Sequence, residues 1–399
     1  MQGRDQLHVA LIGCGFIADQ HVEQLRHVPG VRVVAVCDRE ELMALQLADR
    51  FRIKGVFTDA ARMLEEIRPD AVHITTPVQS HFALAMMCLE AGCHVYLEKP
   101  FTETTSQAEL VMRLAQEKKL RVTVGHNLQF SPEALRIREL VRAGFLGGPP
   151  IHLESIQCFS HDEPVYGKAV LADPNHWVRR LPGSLAHNLI SHGIAKLAEF
   201  LSGDCPQVSA VCFTSDFLKE RGQTDLIDEI RATIRDEQGT TAFFLFTTQF
   251  GVGSNELRLY GRSGNLFLNN TYRTVVREHP SRLKSYLRYF FAPWAHAREH
   301  IHNSFANIRQ FMRCQFHMDY GMRRLMEFFY RAIRENGPDP IPVAEILRTA
   351  RIMDAIFSKF PRRVTSGNTV SGAIQQGAEN RGDSAEGGDW SPRTMDQRP

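Results

Sequence analysis

Between residues 7 and 125 the chain alternates apolar, strand-like runs with helical patterns, and few folds accept that order. The runs are LHVALIG (7–13), VRVVAVCD (31–38), VFT (56–58), AVHITTP (71–77), HVYLE (94–98) and RVTVG (121–125). Between them lie stretches such as REELMALQLADRF, FALAMMCLEAG and SQAELVMRLAQEK, with apolar residues three or four apart. Strands that are apolar on both faces, joined by helices, require a parallel sheet covered on its two sides. The pattern predicts a doubly wound α/β domain over 1–126, with ligands at the carboxyl ends of the strands.

The first strand–helix junction reads IGCGFIADQH (12–21). Gly13 permits a tight turn, and Gly15 lets the backbone approach a pyrophosphate at the helix N-terminus, beside Phe16 and Ile17 in the first turn. Ala18 takes the small third position, where helix and strand pack closely. Asp38 ends the second strand about twenty residues on, where a carboxylate accepts hydrogen bonds from an adenosine ribose. It would repel a 2′-phosphate, which points to NAD. Arg39 beside it pulls toward NADP, so NADP is the second choice. The domain is thus of Rossmann type.

After Gly125 the grammar changes. A helix (132–144) ends before GGPP (147–150), and then 151–160, 207–215, 229–236, 240–249, 256–261 and 265–270 read as strands with stretches of period-2 alternation. Hairpin turns DEQG and GRSG join the later ones. The expectation is an α+β domain over 127–361, built on an open, mostly antiparallel sheet and closed by helices at 321–337 and 343–360. Phe244 and Phe246 are read as an apolar outer face of that sheet, suited to face-to-face packing into a homodimer or homotetramer. Residues 281–321 form an aromatic, basic insertion, expected as helices broken near Pro293. Its task is a lid over the substrate, a subunit-packing arm or an interfacial membrane anchor. From Arg362 the apolar pattern stops, and 362–399 reads as a disordered tail.

Composition excludes little but narrows the setting. Hydrophobic content is 43% and net charge only +2, so nothing calls for nucleic acid. The eight cysteines are scattered without a Cys-x-x-Cys pair, which fits a reducing compartment. The N-terminus shows neither a signal peptide nor a transmembrane run. The expected location is cytoplasmic.

Against this background LIGCGFIADQH, TTPVQSHFALAMMCLEAGCHVYLEKPF (75–101), VGHNLQFSPEALRIRELVRAGFLG (124–147) and HWVRRLPGSLAHNLISH (176–192) become recognisable. Residues 7–360 resemble the Gfo/Idh/MocA oxidoreductases, the family of glucose–fructose oxidoreductase and inositol dehydrogenase. The resemblance implies hydride transfer between NAD(P) and a hydroxyl-bearing carbon of a sugar, a sugar derivative or a cyclitol. It places the lysine of Glu98-Lys99-Pro100 beside the nicotinamide and the substrate hydroxyl, with Glu98 positioning the turn and a cis bond open to Pro100. It makes His192 the catalytic histidine. The family's usual carboxylate four residues earlier is Asn188 here, which cannot ionise but can still hydrogen-bond a substrate.

Weaker candidates surround these. Thr76, Pro77 and His81 follow the fourth strand and would line the cofactor. His126 and Asn127 end the last Rossmann strand, while Trp177, Arg179 and His187 flank the catalytic helix as candidate substrate ligands. HAREH (296–300) fits a zinc-site pattern literally, but falls in the insertion and is read as chance, with no metal expected. Two other functions share the cofactor: a glycosidase that transiently oxidises its substrate, and a regulator that binds dinucleotide without chemistry.

Overall fold

The computed structural model describes residues 6–159, 170–280, 283–316 and 320–360. Six strands form the first sheet: β1 Leu7–Ile12, β2 Val31–Cys37, β3 Gly55–Phe57, β4 Ala71–Ile74, β5 His94–Leu97 and β6 Val122–Val124. They lie in the order β3-β2-β1-β4-β5-β6, all parallel. The order reverses direction between β1 and β4, so the loops leaving those two strands diverge and open a crevice. Gly13 follows β1 and Thr75 follows β4, which places both at that crevice.

The second sheet has seven strands: β7 His152–Cys158, β8 Gln207–Phe213, β9 Glu229–Arg235, β10 Thr241–Thr247, β11 Asn255–Tyr260, β12 Asn265–Asn269 and β13 Thr274–Glu278. Their order is β13-β12-β11-β7-β10-β9-β8; β7 and β10 run parallel and the other neighbours antiparallel. The edge strand β13 escaped the reading of the sequence because Val275 and Val276 are both buried, which breaks the alternation.

Two expectations are corrected here. Phe244 and Phe246 do not form an outer face; both are fully buried, in one core with Ile190 and Ile194 of the helix Ser184–Ala198. Alternation shows that the pair shares a face, not which one. Gly193 decides it, since a Cβ there would come within 2.6 Å of the Phe244 ring. The insertion, in turn, is one continuous helix, Ser285–Met312, with Pro293 inside it. Pro293 is exposed, so water can satisfy the carbonyl that lacks an amide partner.

This helix docks on β13. Buried Asn303 accepts from the Val275 amide at 3.0 Å and donates to the Val275 carbonyl at 2.9 Å, pairing the backbone of an edge strand. Glu299 takes two bonds from Arg277, at 3.0 and 2.8 Å.

Two late helices, Tyr320–Glu335 and Val343–Phe357, complete the molecule. Met322, Leu325, Met326, Phe329 and Tyr330 share one core with Leu11, Val72 and Tyr96 of the first sheet. By its contacts the chain up to Pro361 is a single compact unit. The expected tail at 362–399 lies outside the described residues. Among the described residues no helix is long and apolar enough to cross a membrane.

Candidate active site

The crevice begins with Gly13, whose φ of +98° only glycine holds easily. A Cβ there would also lie 2.8 Å from the Thr75 main chain. Gly15 is the extended N-cap of the helix Phe16–Leu25, with no side chain capping the first turn and no atom within 4 Å of where a Cβ would stand. The amides of this turn therefore face open space, which fits an anionic pyrophosphate. Asp38 braces the turn: its carboxylate accepts from the Cys14 amide at 2.7 Å and the Glu40 amide at 3.0 Å. A carboxylate has about four acceptor positions, so capacity remains for ribose hydroxyls. These residues fit a dinucleotide.

Across the crevice, β5 is followed by Glu98, Lys99 and Pro100, and the Lys99–Pro100 bond is cis. Glu98 is held at both oxygens, by His21 Nε2 at 2.9 Å and by the Lys99 amide at 3.0 Å. Burial alone would raise its pKa. The His21 hydrogen bond and the Lys99 charge outweigh that and keep it below the usual carboxylate value. Lys99 Nζ donates to the Asn188 carbonyl at 3.2 Å. Burial lowers its pKa, against the pull of Glu98.

His192 lies on the helix that carries Asn188, with its ring 6.0 Å from that of His126. Burial, then the charge on Lys99, pushes the His192 pKa well below its usual value. His126 is pushed to about 3, chiefly by burial. Among the described residues neither ring nitrogen of His126, nor Nδ1 of His192, meets a hydrogen-bond partner. Buried polar atoms without partners are costly, and here they cluster beside the Lys99 amine. Asn127 sits half-buried at the start of the next short turn.

Several candidates are corrected. Arg179 offers nothing to a substrate: its guanidinium is taken up by the Val170 carbonyl, Asp225 and Gln223. Trp177 packs against a small cluster that includes Val178 and Leu185. His187 is stacked on Phe357 at 4.7 Å between ring centres, with its pKa lowered to about 4 by burial. His81 opens the helix His81–Glu90, whose N-cap is Ser80. The His81 ring nitrogens lie 2.9 Å from the Thr76 carbonyl and 3.0 Å from the Pro100 carbonyl, between the two crevice loops, and the neutral ring donates to one of them. Thr76 itself accepts from Ser80, and Pro77 precedes the short turn Val78–Ser80. In HAREH, His296 pairs with Glu278 and Glu299 with Arg277.

What the sequence did not reveal is a buried chain behind Glu98. His21 Nδ1 meets His73 Nδ1 at 2.8 Å, and His73 Nε2 meets the Tyr330 hydroxyl at 2.7 Å. Only one of the two facing Nδ1 atoms can carry the shared hydrogen, so the tautomers of His21 and His73 are locked to each other. One signal was present. His73 stands in an otherwise apolar strand, and a buried imidazole there needs a partner.

A cavity of about 820 Å³ lies at the other end of the sheet, lined by Asp70, His94 and Arg121. Strand polarity rather than cavity size locates the chemistry, because a parallel sheet binds ligands at its carboxyl ends.

Residues 7–126 match the family model described as "Oxidoreductase family, NAD-binding Rossmann fold". Over these residues the chain resembles the Gfo/Idh/MocA family. Among its relatives, a 4-carboxy-2-hydroxymuconate-6-semialdehyde dehydrogenase of a Sphingobium species is 34% identical over 35% of this chain and 44% of its own. A D-glucoside 3-dehydrogenase of Escherichia coli is 34% identical over 35% of this chain and 40% of its own. The chain thus matches less than half the length of these curated relatives. The fold extends further. The WlbA dehydrogenase from Bordetella pertussis, solved with NADH and UDP-GlcNAcA, superposes with a TM-score of 0.71 at 15% identity, over 89% of this chain and 95% of that one. Residues 7–126 thus match a model of NAD-binding domains.

Proposed function

We propose that the chain is an NAD(P)-dependent oxidoreductase acting on a hydroxyl-bearing carbon of a sugar, a nucleotide sugar or a cyclitol. One observation carries the reading: half-buried Lys99, tied to the Asn188 carbonyl, lies beside His126, neither of whose ring nitrogens finds a partner among the described residues, and His192, whose Nδ1 finds none. Such an arrangement suits a bound hydroxyl better than a finished core. A dinucleotide held at the Gly13–Gly15 turn and Asp38 would supply the hydride acceptor or donor. His192, kept neutral by burial and by its cationic neighbour, accepts the hydroxyl proton. Lys99 steadies the oxygen as negative charge grows on it. His126 and Asn127 supply further polar contacts at the rim. Of the proteins named above, one is a D-glucoside 3-dehydrogenase and another was solved with UDP-GlcNAcA, which supports the substrate class.

The reading includes two domains divided near residue 126, self-association as a homodimer or homotetramer, and work in the cytoplasm. The eight free cysteines, five of them buried, support a reducing compartment. The test is a panel of sugars, UDP-sugars and cyclitols with NAD, followed by absorbance at the reduced-nicotinamide band. Net NADH formation with one class supports the proposal. Turnover of a glycoside with NAD retained and no net reduction supports the glycosidase instead.

Two smaller predictions arise here. Asp38→Ser narrows or inverts a preference for NAD(H) over NADP(H) measured by fluorescence titration; a wild type that already prefers NADP(H) shows that Arg39 dominates. Asn188→Ala lowers turnover by less than about tenfold, a small part of a full acid–base effect. Its contact to Lys99 is made by a main-chain carbonyl, which the substitution keeps. A loss as large as that of Lys99→Met would mean the Asn188 side chain itself handles the substrate.

A further inference from the structure

The helix Ser285–Met312 buries one side on β13 and leaves the other side to solvent. At about 100° per residue, Ile301 stands opposite the docked pair Glu299 and Asn303. On Ile301's side lie Phe290, Trp294, Ala297, Phe305, Ile308 and Met312, all exposed, with Phe290, Trp294 and Met312 at 73%, 68% and 75%. Counted from Ile301, these positions fall at −11, −7 and −4 and at +4, +7 and +11. The apolar seam is a palindrome in its spacing.

We propose that two copies of this chain pair antiparallel through this helix, about a twofold axis that passes at Ile301. In such a pair each residue before Ile301 meets the one equally far beyond it in the other copy. Ile301 meets itself, Ala297 meets Phe305, Trp294 meets Ile308 and Phe290 meets Met312. Small then faces large, as interdigitating helices require. The steps of three and four are those of a coiled-coil seam.

Charge agrees with the register. Glu299 is the only acid in residues 283–316, and Arg277 occupies it. A parallel pairing would set each arginine beside its own copy. The antiparallel one sets Arg298 against Ser304, Arg309 against Pro293 and Arg313 against Tyr289. Burying the six large side chains removes roughly 700 Å² per partner, close to the roughly 800 Å² of a standard interface. A membrane surface would take the same aromatic and basic residues, but lipid does not require a palindrome. The second copy is therefore the occupant the pattern favours.

The test uses the full chain. Sedimentation should show Ile301→Glu at half the wild-type mass, with NAD(H) affinity unchanged, because the substitution places like charges on the axis. In a background of Cys205→Ser and Cys314→Ser, which removes the two exposed thiols, Ile301→Cys should cross-link to a covalent dimer on mild oxidation. Phe305→Cys should not, since its mate is Ala297. A monomeric wild type, an unchanged mass for Ile301→Glu, or equal cross-linking at 301 and 305 overturns the proposal. So does flotation of the wild type, as a monomer, with vesicles of phosphatidylserine and phosphatidylcholine.

Discussion

Lys99→Met lowers turnover by about a hundredfold or more, roughly 3 kcal/mol of barrier, while NAD(H) affinity stays within about threefold. The half-buried amine lies beside His192 and donates to the Asn188 carbonyl, whereas the Gly13–Gly15 turn and Asp38, which would hold the dinucleotide, do not depend on it. Methionine keeps the length of the side chain and removes only the charge and the donors. The His192 pKa should rise as well, because Lys99 is the second cause of its depression after burial. The pH–rate profile of the variant should accordingly move upward. Single-turnover kinetics on an authentic substrate, with a fluorescence titration of NADH, separate the two effects. Wild-type rates in the variant would remove Lys99 from the chemistry.

The cofactor-free protein should lose most of its stability between pH 7 and pH 5. Six imidazoles, those of His73, His81, His94, His126, His187 and His192, have pKa values pushed below 6.5 by burial. The values are about 4 for His94 and His187 and about 3 for His126. A depressed histidine stays neutral in the fold, while its unfolded counterpart takes up a proton as pH falls through 6.5. Unfolding is therefore favoured progressively below that point. The three groups near 3 or 4, His94, His126 and His187, each contribute about 2 kcal/mol between pH 7 and pH 5, together on the order of 6 kcal/mol, and the other three act in the same direction. That is comparable to the whole stability of a typical domain. Glu345 opposes the trend: burial, and then Glu199, raise its pKa to about 7, so its cost to the fold is relieved as pH falls. Urea titrations followed by tryptophan fluorescence should show the midpoint falling steeply across this range. His187→Leu should flatten the slope by about one proton. A midpoint that does not move between pH 7 and pH 5 overturns the account.

The nucleotide-binding half was legible because its signals are local. Gly13, Gly15 and Asp38 are set by a turn and two strands within one short unit, and Lys99 follows a strand whose apolar run is plain. The second half hid what depends on distant partners. No pattern near His73 announces Tyr330, which lies 257 residues further on. Arg179 looked like a substrate ligand because its acceptors, Asp225 and Gln223, come from another loop. Period-2 alternation put Phe244 and Phe246 on one face but left the choice of face to Gly193. Pro293 looked like a break because the sequence does not tell an exposed proline carbonyl partner from a buried one.

The late helix Tyr320–Glu335 closes the first sheet, and this sets an order of events during synthesis. When residue 126 has left the ribosome all six strands of that sheet exist, yet Met326, Phe329 and Tyr330, which cover part of it, are still untranslated. His73 then lacks the Tyr330 hydroxyl and Tyr96 lacks Phe329. A nascent chain halted there exposes an apolar surface that the finished protein never shows. Residues 320–335 thus cover part of the sheet formed by residues 7–124, and the scaffold of the cofactor crevice is complete only once they have been made.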